Sequence, residues 1–236
     1  MKKTYALLIC LLLSVSANSQ SFIGAWESIV TNEKGDEIKT VVSFADGYQV
    51  MTSFEAKTGK FITTNGGSWN LVGDMMTEKI EFDSTSPDNV GTEVSFKVFN
   101  TGSEMGIVGQ NQKFRRIDSG KPGKLQVAWL MSGRVREGKT QMRDTSGSRK
   151  TMKVLSGSRF QWIAYNTATK QFMGTGGGTY TTINGKYTEK IEFFSRDNSK
   201  AGLSLTFDYS LKDGTWNHKG FSSKGAAMHE IWSVRK

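Results

Sequence analysis

Two glutamates stand where an alternating strand should carry apolar side chains. Residues 77–82 read Thr-Glu-Lys-Ile-Glu-Phe, and residues 188–193 repeat them letter for letter. Read as strands, Met76, Glu78, Ile80 and Phe82 share one face, and Thr77, Lys79 and Glu81 the other. In the second copy Glu189 falls between Tyr187 and Ile191. A carboxylate on a core face must be paired, hydrogen-bonded or wetted by a cavity. Such a group either anchors the polar end of a ligand or is a structural acid bound to a hydroxyl, an indole N–H or a backbone amide.

The identity belongs to a longer gapless register. Residues 61–82 align with 172–193 at an offset of 111. The same offset pairs Gly66-Gly67 with Gly177-Gly178, Trp69 with Tyr180, Met105 with Trp216 and Ile107 with His218. Further out it drifts, pairing Trp26 with Trp129 and Phe114 with Trp232. If Met105 and Ile107 point inward, so do Trp216 and His218. The second half then gathers Glu189 and His218 with Trp162, Tyr180, Tyr187, Tyr209, Trp216 and Trp232. Rings with a few polar groups line small-molecule cavities, so these are the candidate ligand-binding residues. His229 has the opposite parity and is expected outside.

Other chemistry finds little support. There is no Gly-x-Ser-x-Gly elbow and no His-Glu-x-x-His. The one Cys is Cys10, and two His cannot make a multi-histidine metal site. No catalytic residue, metal or cofactor is expected. A hydrolase of unrecognised type stays open, because carboxylate pairs are spatial and not sequential. Gly174-Thr175-Gly176-Gly177-Gly178 is followed by strand residues and not by a helix, so it reads as a bulge or barrel corner and not as a phosphate loop.

Charge divides the chain. Residues 21–120 hold 9 basic and 14 acidic side chains, and residues 121–236 hold 20 and 8. Arg134, Arg136, Lys139, Arg143, Arg149 and Lys150, continuing to Lys153 and Arg159, crowd one segment that reads as a basic loop. Lys2 and Lys3, the apolar run from Tyr5 to Leu13 and the small residues around Ala17 and Ser19 read as a secretory signal, residues 1–19. The run is too short to span a bilayer. Ile9 is too large for a lipobox at Cys10, so no lipid anchor is expected. The mature chain is then exported, periplasmic or extracellular, free of cysteine and not membrane-spanning. An exported basic segment is expected to meet an anionic envelope component (a lipid, glycan or acidic protein) and not nucleic acid.

Short alternating segments and recurrent turns such as Asn184-Gly185 and Lys212-Asp213-Gly214 predict about eight strands per half, with no helical stripe. The fold class is all-β: two tandem up-and-down antiparallel barrels over residues 20–118 and 124–236, joined by 119–123. Phe22-Ile23-Gly24-Ala25-Trp26-Glu27 resembles the Gly-x-Trp signature of lipocalin-like (calycin) barrels. The chain is also similar to secreted bacterial proteins with lipocalin-like domains. The resemblance implies a basic residue over this Trp: Arg115 or Arg116 in the first half, Arg235 over Trp129 in the second. The function expected is non-enzymatic binding of a small apolar or amphipathic molecule in the second barrel. The alternatives are an envelope interaction module using the basic 134–159 segment and the hydrolase.

Overall fold

The structure, a computed structural model, describes residues 21–118 and 123–236. The expected signal and most of the expected linker lie outside the described residues. The first half is a closed antiparallel barrel of β1 (Gly24–Thr31), β2 (Glu37–Ala45), β3 (Tyr48–Glu55), β4 (Phe61–Val72), β5 (Met75–Asp83), β6 (Glu93–Asn100), β7 (Glu104–Ile107) and β8 (Lys113–Arg116). The second contains β9 (Ala128–Arg136), β10 (Lys139–Met142), β11 (Arg149–Leu155), β12 (Arg159–Asn166), β13 (Gln171–Ile183), β14 (Lys186–Phe194), β15 (Ser204–Lys212), β16 (Thr215–Phe221) and β17 (Ala227–Val234). Pairing of β9 with β17 closes this barrel too, and β10 is an extra strand on β9. The all-β, two-barrel expectation holds.

Hairpin rhythm produces this topology. Asn184-Gly185 and Asp213-Gly214 have φ of 50° then 74° and 50° then 72°. Two successive left-handed residues make the tight turn whose twist matches antiparallel strands. In the glycine run the register shifts between Gly177 and Gly178, as it does between Gly66 and Gly67 in the first barrel. A Cβ at Gly67 or Gly178 would collide with the carbonyl oxygen of Lys79 or Lys190. The bulges also correct the simple alternation. Met76 faces the barrel interior, but Phe82 packs outside it against Tyr165 of the other barrel.

The sequence expectation of one basic loop is corrected as well. Trp26 pairs with Val42, and Trp129 with Lys153, so the crossing is 16 residues in the first barrel and 24 in the second. The extra length extends the hairpin as β10, turning at Glu137-Gly138, before the chain re-enters the barrel as β11. Lys153 and Arg159 do not belong to this surface, since both are buried.

At one end of each barrel a tryptophan is tied to the chain before it: Trp26 Nε1 donates to Phe22 O, and Trp129 Nε1 to Leu125 O, both at 2.9 Å. The Arg116 guanidinium lies 4.0 Å from the Trp26 ring, as the resemblance implied, while Arg115 pairs with Glu27. Arg235 does not cover Trp129. It reaches the first barrel, 4.1 Å over Tyr48, and bonds Glu81 at 2.7 Å. A cross-barrel carboxylate and an open ring face outcompete the expected position.

The two barrels share a core. Val50, Phe82, Met152, Val154, Ile163 and Tyr165 form one buried cluster from both halves. Phe54 stacks on Phe193 at 4.9 Å, and Phe82 meets Tyr165 at 5.0 Å. Under the 111-residue offset these pairs exchange, 54 with 165 and 82 with 193. Phe61 stacks on Phe172, its own repeat partner, at an interplanar angle of 13°. Gln161 Nε2 donates to both Thr64 and Thr175, again a repeat pair. The contact is isologous about a pseudo-two-fold axis, as in a symmetric dimer.

Candidate functional site

The central strands of the second barrel carry the candidate site. β14 directs Glu189 inward, β11 brings Lys153 opposite it, and β16 and β17 add His218 and Glu230. Lys153 Nζ donates to Glu189 Oε1 at 2.9 Å, and the Tyr187 hydroxyl donates to the same oxygen at 2.9 Å. Lys153 is 3 % exposed and Glu189 5 %. Four rings surround the ammonium, with centroids at 5.0 Å (Trp232), 5.1 Å (Trp216), 5.4 Å (Tyr187) and 5.8 Å (Phe160). Ring faces and a carboxylate together offset the large desolvation cost of a buried cation. The buried carboxylate beside it, after burial itself, pushes the Tyr187 hydroxyl far above its ordinary pKa, so it stays a donor.

His218 is 1 % exposed, and its ring centroid lies 3.9 Å from that of Phe207. Its Nδ1 faces Glu230 Oε2 at 3.4 Å, and Trp232 Nε1 donates to that oxygen at 3.2 Å. Burial first, then the Lys153 charge, hold the imidazole pKa below its usual value, so the ring is neutral at neutral pH. Opposite a carboxylate, Nδ1 carries the proton. Nε2 is then a bare acceptor, and among the described residues it has no partner. His218 bound to Glu230 can take a hydrogen bond, or a proton, from a bound molecule.

These groups line a cavity of about 280 Å³. Trp162, Leu205, Phe207, Met228 and Trp232 supply apolar wall, and Ser222 and Ser223 of the β16–β17 turn complete it. Of the sequence-predicted residues, Glu189, His218, Trp162 and Trp232 line this space. Tyr187 and Trp216 pack directly against the polar cluster. Tyr180 and Tyr209 do not line the cavity but belong to the same barrel core: Tyr180 meets the Tyr187 ring at 5.4 Å and donates to Ser156 O at 2.6 Å, and Tyr209 packs half-buried against that core. Lys153 and Glu230 were missed as site residues. For Lys153 the signal was available in the register, because the offset of 111 sets it opposite Val42, a core position.

The first barrel has its own cavity of about 250 Å³. It is lined by Val42, Phe44, Met51, Met76, Phe96 and Phe114 with Gln49 and Glu78. Burial, partly offset by a hydrogen bond from the Gln49 side chain, raises the Glu78 pKa from 4.5 to about 7.

The basic surface lies on β9, β10, the segment after β10 and the start of β11. Arg134, Arg143 and Arg149 line a shallow depression of about 330 Å³ with Met131, Gln141 and Met142. Arg136 and Lys139 flank the hairpin tip, exposed. Lys150 is occupied locally, donating to Thr145 O and Gly147 O at 3.0 and 3.1 Å. Among the described residues no three His, Cys, Asp or Glu side chains are grouped to hold a metal. No helix there is long and apolar enough to cross a membrane. Neither a protein-family model nor any curated protein sequence matches the chain.

Proposed function

We propose that this is an exported, non-enzymatic binding protein of lipocalin-like type whose second barrel holds a small amphipathic molecule. The cavity beside Lys153, Glu189, His218 and Glu230 carries this reading. Its walls suit an apolar body. Lys153 and Glu189 satisfy each other, and Glu230 is held by His218 Nδ1 and Trp232 Nε1, which leaves His218 Nε2 as an acceptor for a hydroxyl or amide N–H on the ligand. The leader-like residues 1–19 support export, with cleavage close to Ser19-Gln20. Intact mass of the exported product checks this, and a retained leader or an added lipid mass counts against it.

Native mass spectrometry of protein purified from its own host tests the binding. A co-purifying small molecule that is lost in His218→Phe, with the fold retained, is the expected result. Protein that is ligand-free from every source, and unresponsive in Trp162 and Trp232 emission to a lipid extract of the host, argues against it.

A second reading rests on the arginine-lined depression. In it the β9–β10 hairpin docks an anionic envelope component. Sedimentation with vesicles of anionic and of zwitterionic lipid distinguishes this from simple solubility, which predicts no difference between them.

A further inference from the structure

The two barrels treat the same inward-facing acid, buried at Glu189 and half-buried at Glu78, differently. In the second, Glu189 is answered by an ammonium that the chain itself supplies, Lys153 on β11. At the repeat position the first barrel has Val42. His218 is replaced by Ile107, and the rings of Trp162, Tyr187 and Trp216 are replaced by Met51, Met76 and Met105. Glu78 remains, and among the described residues it is the only charged side chain lining the cavity. Gln49, also in the lining and 2 % exposed, has an Oε1 with no hydrogen-bond partner among the described residues. A carboxylate that only the Gln49 amide answers, with no cation beside it among the described residues, and an unused carbonyl oxygen are both acceptors, and the remaining wall is largely Phe, Met and Val.

We propose that the cavity of the first barrel is a second binding site, selective for a small amphipathic cation whose ammonium pairs with Glu78. The second barrel supplies the template, because there the fold already seats an ammonium against this carboxylate. In the first barrel that ammonium has to arrive on a ligand. Phe44, Phe96 and Phe114 offer ring faces to the cation or its alkyl chain. Methionines suit a ligand of loosely defined shape, because they repack at small cost.

Octylamine and octanol, titrated calorimetrically into the full chain, are the probes. The amine should bind at least about ten-fold tighter than the alcohol at about pH 8. Glu78→Gln should remove that preference while leaving octanol binding in place and without lowering the urea midpoint. Val42→Lys, which copies the second barrel, should block the amine by supplying a tethered one. Only ionised Glu78 attracts the cation, so amine affinity should fall between about pH 8 and pH 6. No other titratable group lines this cavity from β2 to β8. Equal binding of amine and alcohol, equal loss of both in Glu78→Gln, or amine binding that survives Val42→Lys overturns the proposal. So does an amine site abolished by His218→Phe in the other barrel.

Discussion

The buried ion pair of the second barrel is a better guide to stability than its parts. Glu189→Gln keeps the shape but leaves the Lys153 ammonium among four rings without its carboxylate. Breaking a buried pair from one side typically costs about 3–5 kcal/mol. A urea midpoint lowered accordingly is expected, and Lys153→Val combined with Glu189→Gln should recover much of it. Glu78 gives the opposite signature. Its folded pKa of about 7 lies above the ordinary 4.5, so the folded state holds the extra proton between those values. Stability should therefore fall as pH rises through that window, by on the order of 1–3 kcal/mol. Glu78→Gln should flatten the fall. His218 works the other way, since its pKa is depressed on folding. The unfolded chain takes up its proton first, so the part of the pH profile that His218→Phe removes is a loss of stability below about pH 6.5. Urea midpoints across pH for the two variants separate these opposed slopes.

At the level of strands, the repeat offset and the alternation carried the architecture, because a six-residue identity in a gapless register leaves few other arrangements. Trp216 and His218 were placed inward by parity alone, and both are buried there. Parity failed at the bulges. One extra residue opposite Gly66 and Gly177 turns Phe82 and Phe193 out of their barrels, and sequence spacing does not mark where the extra residue falls. Lys153 was lost among the surrounding arginines and lysines because composition does not separate a solvated cation from a caged one. Gly178→Ala tests the bulge. Its methyl meets the Lys190 carbonyl oxygen, which is fixed backbone, so a loss of about 1–3 kcal/mol is expected in thermal unfolding. The hairpin should be dispensable. Arg134 sits opposite Gln141, so an Asn-Gly turn between them can replace residues 135–140. Because β10 pairs only with β9, the melting temperature should hardly change, while any preference for anionic vesicles should drop with Arg136 and Lys139.

As a whole the molecule is two barrels about one shared face. Asp118, at the end of the first, accepts from Ala25 N in its own barrel and from Ser156 Oγ and Ser158 N in the other. Glu81 binds Arg235 and Tyr165 of the second barrel, and its repeat partner Glu192 binds Arg159 through two bonds of 2.7 Å and faces Lys39 of the first barrel at 3.8 Å. The repeated hexapeptide thus supplies one acid to each barrel interior and one to the contact between barrels. Residues 20–118 and 124–236 expressed as separate chains should each show β structure and should associate when mixed. Phe54→Asp should prevent that association on size-exclusion chromatography without unfolding the first barrel. Joining the two copies in one chain has a consequence for inheritance. In a dimer of identical subunits, every substitution arrives twice, once on each side of the axis. A lysine introduced beside one inward glutamate would appear beside the other, and both cavities would take the same tethered cation. In the fused chain each side mutates alone. Lys153 can then neutralise its own cavity while Val42 leaves the other unsatisfied, and one scaffold can diverge toward two ligands without first giving up its symmetric contact.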